Sequence, residues 1–332
     1  MYLHGGFRSV AEIDGPTLPG PGALLWALGR EELADPLCPD SLAGSHPAWE
    51  EDARRFAPWQ EVSVTWCSAC AQERWWVSPV RRQGRILVCG KCSSALDVAR
   101  PLAENTMFEA WDSVLAVSQW AGRGQLRRQW LSPPGNVYSA LVLPSVPKEY
   151  DSLLPLILGY CIAGFLRYKK LDAHIKWPND LLVAEQKVGG ILVEERRGVT
   201  VAGIGLNLVS APHPDMLREA HAVPAGYLRA HGLKSGPLTL WAELVDFVKI
   251  CYETTLQQGS PGNVAAMIEP LLCWLGETVA IRDGDETPWT ARLAGLAHDG
   301  ALRVMPAGGA GERLLTSGGI WRVREHPLKH PG

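Results

Sequence analysis

Lys176-Trp177-Pro178-Asn179-Asp180-Leu181, Lys187-Val188-Gly189-Gly190-Ile191-Leu192-Val193-Glu194 and Gly203-Ile204-Gly205-Leu206-Asn207-Leu208 follow one another in one short stretch of the chain. Within it, Leu181 to Ala184, Gly190 to Glu195 and Val199 to Leu208 are apolar and rich in β-branched residues, so each reads as a strand. Arg196, Arg197 and Gly198 separate the last two, which is short enough for a hairpin turn. The centre of the chain is therefore expected to be sheet.

Upstream of that centre, Val137 to Leu143 is an apolar run stopped by Pro144, and Asp151 to Tyr168 has helical periodicity. A strand followed by a helix implies layered α and β structure. Downstream, Leu240, Leu244, Phe247, Val248 and Cys251 recur at helical spacing, and Val264 to Trp274 is a further helical candidate before Gly276. Short strand-like pieces divided by Asp283-Gly284, Asp299-Gly300 and Gly308-Gly309 then predict a small β-barrel over residues 276–325. The main domain is placed at 105–275, with Leu96 to Glu104 as a connector. Asp14 to Glu61 is rich in Pro and Gly, with helical candidates near 22–33 and 48–56, and no role for residues 1–60 follows from it.

The chain has 332 residues, 46% hydrophobic and 20% charged, which is the balance of a globular protein of more than one domain. A formal net charge of −3 gives no global attraction to nucleic acid or anionic lipid. Met1 to Ile13 lacks the apolar core of a secretory signal, and Leu153 to Phe165 is too short to cross a bilayer. A cytoplasmic enzyme with no membrane partner is expected; a homodimer is compatible with the sequence.

Cys67-Ser68-Ala69-Cys70 and Cys89-Gly90-Lys91-Cys92 form a CxxC…CxxC pattern suited to a structural Zn²⁺ held by four thiolates. Residues 61–95 are accordingly expected to be a zinc ribbon, a redox pair or core thiols being the alternatives. Arg81, Arg82 and Arg85, with Trp75 and Trp76, make nucleic acid a candidate partner of the ribbon, although a structural or protein-docking module is the plainer reading.

Gly122-Arg123-Gly124-Gln125-Leu126-Arg127-Arg128-Gln129-Trp130 joins close backbone approach to guanidinium groups. An enzyme that joins a carboxylate to ATP must hold two anions together, and needs such groups to offset their repulsion. Taken alone, the segment reads equally well as a solvated basic loop. Together with Ser132-Pro133-Pro134-Gly135-Asn136-Val137-Tyr138 and the three stretches quoted first, in that order and spacing, it resembles the catalytic domain of biotin protein ligases. The resemblance runs from about Asn105 to Asn207 and continues weakly into the C-terminal part.

The resemblance implies an α+β fold, with a mixed-sheet biotin/lipoate ligase-like catalytic domain, an N-terminal zinc ribbon and a small C-terminal SH3-like β-barrel. It implies activation of biotin with ATP to biotinyl-5′-AMP, and transfer of biotin to a lysine of a biotin carboxyl carrier protein, that of acetyl-CoA carboxylase or a related biotin enzyme. Lys187 would stabilise charge where carboxylate and α-phosphate meet, and Asp180 would hold Mg²⁺ on the ATP phosphates. Thr106, Gln119, Gly122, Arg123, Lys187 and Gly190 would bind biotin. Arg123, Arg128, Trp130, Asn179, Lys187 and Asn207 would bind ATP. The rival readings are a turn lysine for Lys187, a turn-forming residue for Asp180, a helix N-cap for Thr106, core for Trp130 and turn or surface amides for Gln119 and Asn207. The chain departs from the family pattern at Gln125, commonly arginine, at Arg127, commonly glycine, and at Met107, frequently asparagine. A biotin-responsive nucleic-acid-binding regulator and a lipoate or octanoate protein ligase stand as alternatives.

Overall fold

The computed structural model describes residues 20–28, 33–65, 72–125, 128–213, 223–284, 287–309 and 311–323. Strands β1 (Gly22–Leu28), β2 (Gln60–Thr65), β3 (Gln72–Val77), β4 (Arg85–Cys92), β5 (Ser113–Gln119) and β6 (Val137–Val142) join β7 (Ala173–Lys176), β8 (Asp180–Val183), β9 (Gln186–Arg196) and β10 (Val199–Leu206) in one sheet. Its ten strands run in the order β2-β3-β1-β4-β5-β6-β10-β9-β8-β7. The sheet is mixed: β4 lies parallel to both β1 and β5, and the other pairings are antiparallel. The hairpin expected at Arg196 to Gly198 is present, with Arg197 and Gly198 both at positive φ.

Helices cover both faces, so strands near the middle are apolar on both sides. On one face lies α3 (Ala95–Glu104), whose Leu96, Val98, Ala99 and Leu102 pack on Leu24, Trp26, Leu87, Val114 and Ala140. On the other lie α1 (Pro39–Ser45), α2 (Pro47–Arg55), α4 (Leu154–Tyr168) and α5 (Pro237–Leu256), packed against Ala23, Leu25, Ile86, Val88 and Leu115. In β1, Ala23 and Leu25 face one core while Leu24 and Trp26 face the other. That two-sided burial produces the continuous apolar run expected above to be a helix over 22–33; alternation along a strand is its cause. The segment Lys148–Tyr168 has the length and composition of a membrane span, yet it is a core helix, 67% of its apolar window being buried.

The strand order overturns two expectations about organisation. Residues 61–95 are not a separate ribbon: β2, β3 and β4 belong to the main sheet, and β4 occupies its interior beside β5. Residues 95–104 are not a connector but the amphipathic helix α3. The described part of the first sixty residues likewise builds the main sheet and its helical cover. Asp52 of α2 is fully buried; its carboxylate accepts hydrogen bonds from Leu238 N at 2.7 Å and Thr239 N at 3.1 Å, and from the Thr239 hydroxyl. It thereby ties α2 to the first turn of α5.

After α6 (Pro261–Ile268), strands β11 (Thr278–Arg282), β12 (Trp289–Leu296), β13 (Leu302–Pro306), β14 (Arg313–Leu315) and β15 (Gly319–Arg322) form a five-stranded antiparallel sheet in the order β14-β13-β12-β11-β15. This order leaves β14 and β15 as edges, so the closure expected of a barrel is not among the pairings of the described residues. The Trp177 indole N–H donates to the Gly300 carbonyl at 3.0 Å, fixing this sheet to the larger one.

Candidate active site

Asp180 opens β8 opposite Gly190 of β9, and Lys187 lies near the start of β9, so the hairpin brings their side chains together. Lys187 Nζ is 2.6 Å from Asp180 Oδ1, and Lys176 Nζ is 3.3 Å from Asp180 Oδ2. Burial works to raise the carboxyl pKa of Asp180, but the two ammonium groups outweigh it and hold the group below the usual carboxylate value. Lys187 Nζ also stands 5.4 Å above the centroid of the Trp130 ring. That ring lies against glycine backbone: a Cβ at Gly205 would come within 2.6 Å of it, and one at Gly190 within 3.0 Å. Side chains there would evict the indole. Lys187, Asp180, Trp130 and Gly190 are thus brought together.

Asn207 and Asn179 take supporting positions. The Asn207 side-chain amide donates to the carbonyls of Gly226 at 3.0 Å and Lys187 at 3.4 Å, and its backbone N–H to Val188. It fixes the main chain that carries Lys187. The Asn179 amide donates to the Ile191 carbonyl at 2.7 Å, buttressing β9 beside Gly190.

A second group adjoins this cluster through the glycine-rich loop, where Trp130 N–H donates to the Gly122 carbonyl. Gln119 ends β5; its Oε1 accepts from Ala95 N at 2.7 Å and its Nε2 donates to Ser132 Oγ at 2.9 Å. Gly122 fits only without a side chain, since a Cβ would lie 2.5 Å from the Trp130 carbonyl oxygen and 2.8 Å from Ser132 Oγ. Gln119, Ser132, Asn136 and His213 are among the lining residues of a cavity of ≈400 Å³, a size typical of small-molecule sites. Asn136, buried at the start of β6, accepts from Leu208 N and Val209 N, both at 2.8 Å, which sets the far wall.

Thr106 does not join either group. It is exposed, beyond the C-terminal end of α3, at φ 57°, with its hydroxyl donating to the carbonyl of Asn105. Gln119 instead meets the opposite end of α3. There Ser94 is the N-cap residue, buried at 2% exposure, and its hydroxyl caps none of the helix amides; Ser93 precedes it and donates to Asp97 Oδ2 at 2.7 Å. Ser93 and Ser94, which sequence reasoning did not single out, adjoin Gln119 through its hydrogen bond with Ala95. The available signal was a serine pair immediately before a helix with helical apolar spacing.

Arg123 also stands apart from the Lys187 cluster. Its guanidinium is 2.8 Å from Asp97 Oδ1 on α3 and 3.8 Å from Glu194 Oε2 on β9. Arg128 is exposed on the loop, where its backbone closes a turn with Gly124 and Gln125. As for magnesium, both oxygens of Asp180 are engaged by lysine ammonium groups, so this carboxylate does not fit as an open ligand for the ion.

Of the four cysteines expected to hold zinc, Cys67 and Cys70 lie outside the described residues. Cys89 and Cys92 are fully buried free thiols on the α3 side of the sheet. Hydrogen bonding to Cys89 and burial push the Cys92 thiol up. Among the described residues no group of three or more His, Cys, Asp or Glu could hold a metal. The groups expected to meet nucleic acid are largely engaged internally. Trp75 is buried and stacked on Trp26 at 5.9 Å, Arg82 pairs with Asp246 at 3.4 Å, and Arg85 pairs with Asp112 at 2.9 Å.

Residues 104–209 match the biotin/lipoate A/B protein ligase family. The match takes in the glycine-rich loop and the Lys187 cluster. Among curated relatives, the bifunctional ligase/repressor BirA of Bacillus subtilis is 32% identical over 171 residues, covering 48% of this chain and 50% of the relative. The biotin–[acetyl-CoA-carboxylase] ligase of Paracoccus denitrificans is 36% identical over 123 residues, covering 34% of this chain and 50% of the relative. The chain thus spans about half the length of these curated relatives. A solved structure of the biotin protein ligase from Aquifex aeolicus in complex with biotin and ATP superposes with TM-score 0.58 at 26% identity, covering 71% of this chain and 97% of that one.

Proposed function

We propose that the chain is a biotin protein ligase. In the first step a biotin carboxylate oxygen attacks the α-phosphorus of ATP, the bond to the β-phosphate breaks, and pyrophosphate leaves with its electron pair. In the second, the lysine amine of a biotin carboxyl carrier protein attacks the acyl carbon of biotinyl-5′-AMP; AMP leaves and the amine loses a proton. The observation that carries this reading is the Lys187 ammonium, held by Asp180 above an indole that packs on the backbone of Gly190 and Gly205. A cation fixed there offsets the repulsion of two approaching anions without reorganising at the moment of reaction.

Gln119, Ser94 and Ser132 supply donors and acceptors suited to a cyclic urea, Trp130 an aromatic face for adenine, and Asn207 and Asn179 the rigidity of the backbone around Lys187. Magnesium enters on the phosphates of ATP and is not assigned to Asp180. The relatives' names and the complex with biotin and ATP support biotin over lipoate or octanoate. The decisive experiment gives the chain ATP, a biotin carboxyl carrier domain and, in turn, biotin, lipoate and octanoate. Labelling of the carrier by biotin alone is expected; labelling by another acid, or none, contradicts the reading.

We also infer a structural Zn²⁺ held by Cys89 and Cys92 together with Cys67 and Cys70. The register supports it: Leu28 of β1 faces Arg74 of β3, and Leu25 faces Val88 of the parallel β4. The end of β2 and the beginning of β3 therefore stand at the same end of the sheet as the end of β4. One zinc per chain by elemental analysis is expected, and a metal-free folded chain contradicts it.

A further inference from the structure

We propose that Asp97, with Glu194 beside it, is a positioning residue for Arg123: it occupies the guanidinium in the ligand-free chain, and nucleotide phosphate must displace it. The proposal rests on the reading of the cleft as an ATP and biotin site.

The backbone at the root of the loop is fixed. Trp120 N–H donates to the Cys92 carbonyl at 3.1 Å and Ala121 N–H to that of Ser93 at 3.0 Å, and Gly122 is pinned by its neighbours. Arg123 therefore cannot carry its charge elsewhere by shifting the loop root; its side chain alone selects a partner. That partner is Asp97, 2.8 Å away, in the first turn of α3, where the helix dipole favours a carboxylate. Asp97 is itself oriented by the Ser93 hydroxyl on its other oxygen. Glu194, the farther acid, is shared with Arg100 at 2.9 Å.

The two cations of the site are thus stored differently. Asp180 holds Lys187 near the start of β9, whereas Arg123 is held by one acid on α3 and another near the end of β9. The Arg123–Asp97 pair is also half open to water, at 40% and 42% side-chain exposure. A pair so exposed is weak and screened by salt, while a polyphosphate offers more charge and a matching fork for the guanidinium. Asp97 therefore competes with phosphate for Arg123 and weakens nucleotide binding without preventing it.

Titration calorimetry of the full chain with biotin and the α,β-methylene analogue of ATP tests this in wild type, Asp97→Asn, Arg123→Ala and the double variant. Asp97→Asn is expected to tighten the analogue about two- to fivefold, with the gain abolished in the Arg123→Ala background and reduced in high salt. Glu194→Gln, which leaves the Ser93–Asp97 bond intact, is expected to give a smaller gain and serves if Asp97→Asn misfolds. An unchanged or weaker affinity in both variants, or a gain that survives without Arg123, overturns the proposal alone. Wild type that binds no analogue overturns the reading of the cleft, and this proposal with it.

Discussion

Asp180 in the Lys187 cluster and Asp52 on the seam between α2 and α5 are both withdrawn from water, yet their carboxyls move in opposite directions. Asp180 faces two ammonium groups, and they overcome its burial. Asp52 faces only backbone N–H groups and a hydroxyl; burial dominates, and its pKa is raised to about 6. Dipoles satisfy hydrogen-bonding capacity without supplying the charge that keeps a buried carboxylate ionised. The difference separates a region arranged to hold charge from one arranged to hold helices together.

The comparison breaks most visibly if the charge of Lys187 is dispensable. Lys187→Ala is expected to slow adenylate formation by roughly 10²–10³-fold, measured by pyrophosphate release, and to lower melting as well, because Asp180 keeps only Lys176 as a counter-charge. Next in size is the seam. Because the folded pKa of Asp52 lies above its unfolded value of 3.8, its contribution is fully present below pH 3.8 and is lost as pH rises through about 6. The loss amounts to about 3 kcal/mol at 1.36 kcal/mol per pKa unit. Asp52→Asn, which keeps an acceptor but cannot ionise, is expected to flatten the stability profile between pH 4 and 7 in denaturant titrations; an unchanged profile contradicts this.

Asp180 has the reverse sign. Its folded pKa lies below the ordinary carboxyl value of 3.8, so its contribution is present above that pH and is lost as acid takes the group through its lowered pKa. Asp180→Asn removes a charge-assisted bond worth about 1.5–3 kcal/mol. Adenylate formation is expected to fall roughly tenfold or more, with Lys187 less well placed, and an unaffected rate would show that Lys187 needs no such anchor. The smallest effects sharpen the location of the site. Ser94→Ala is expected to weaken biotin binding by about 1 kcal/mol, and Thr106→Ala to leave it unchanged, by calorimetry; the opposite ranking would return the pocket to the far end of α3.

The parts legible in the sequence share a physical cause. Strands β6, β9 and β10 pair locally or carry clear apolar runs, and the glycines beside Lys187 announce close backbone approach. What escaped depends on distant partners. The run in β1 is apolar on both faces, so period alone could not distinguish strand from helix. Cys89 and Cys92 resemble half of an independent ribbon until the parallel pairing of β4 with β5 is known, and that pairing spans α3. Thr106 and Ser94 both stand at helix ends, and only the hydrogen bond between Gln119 and Ala95 shows which end faces the pocket. The identity of Arg123 was legible, but its carboxylate partners come from α3 and β9 and were not.

The most direct test of the central claim is mass-spectrometric detection of biotinyl-5′-AMP after the purified chain meets biotin and ATP without any acceptor. The cluster of Lys187, Asp180 and Trp130 predicts accumulation of the adenylate in wild type and its near absence in Lys187→Ala. Equal adenylate from both proteins, or none from wild type, would contradict the account.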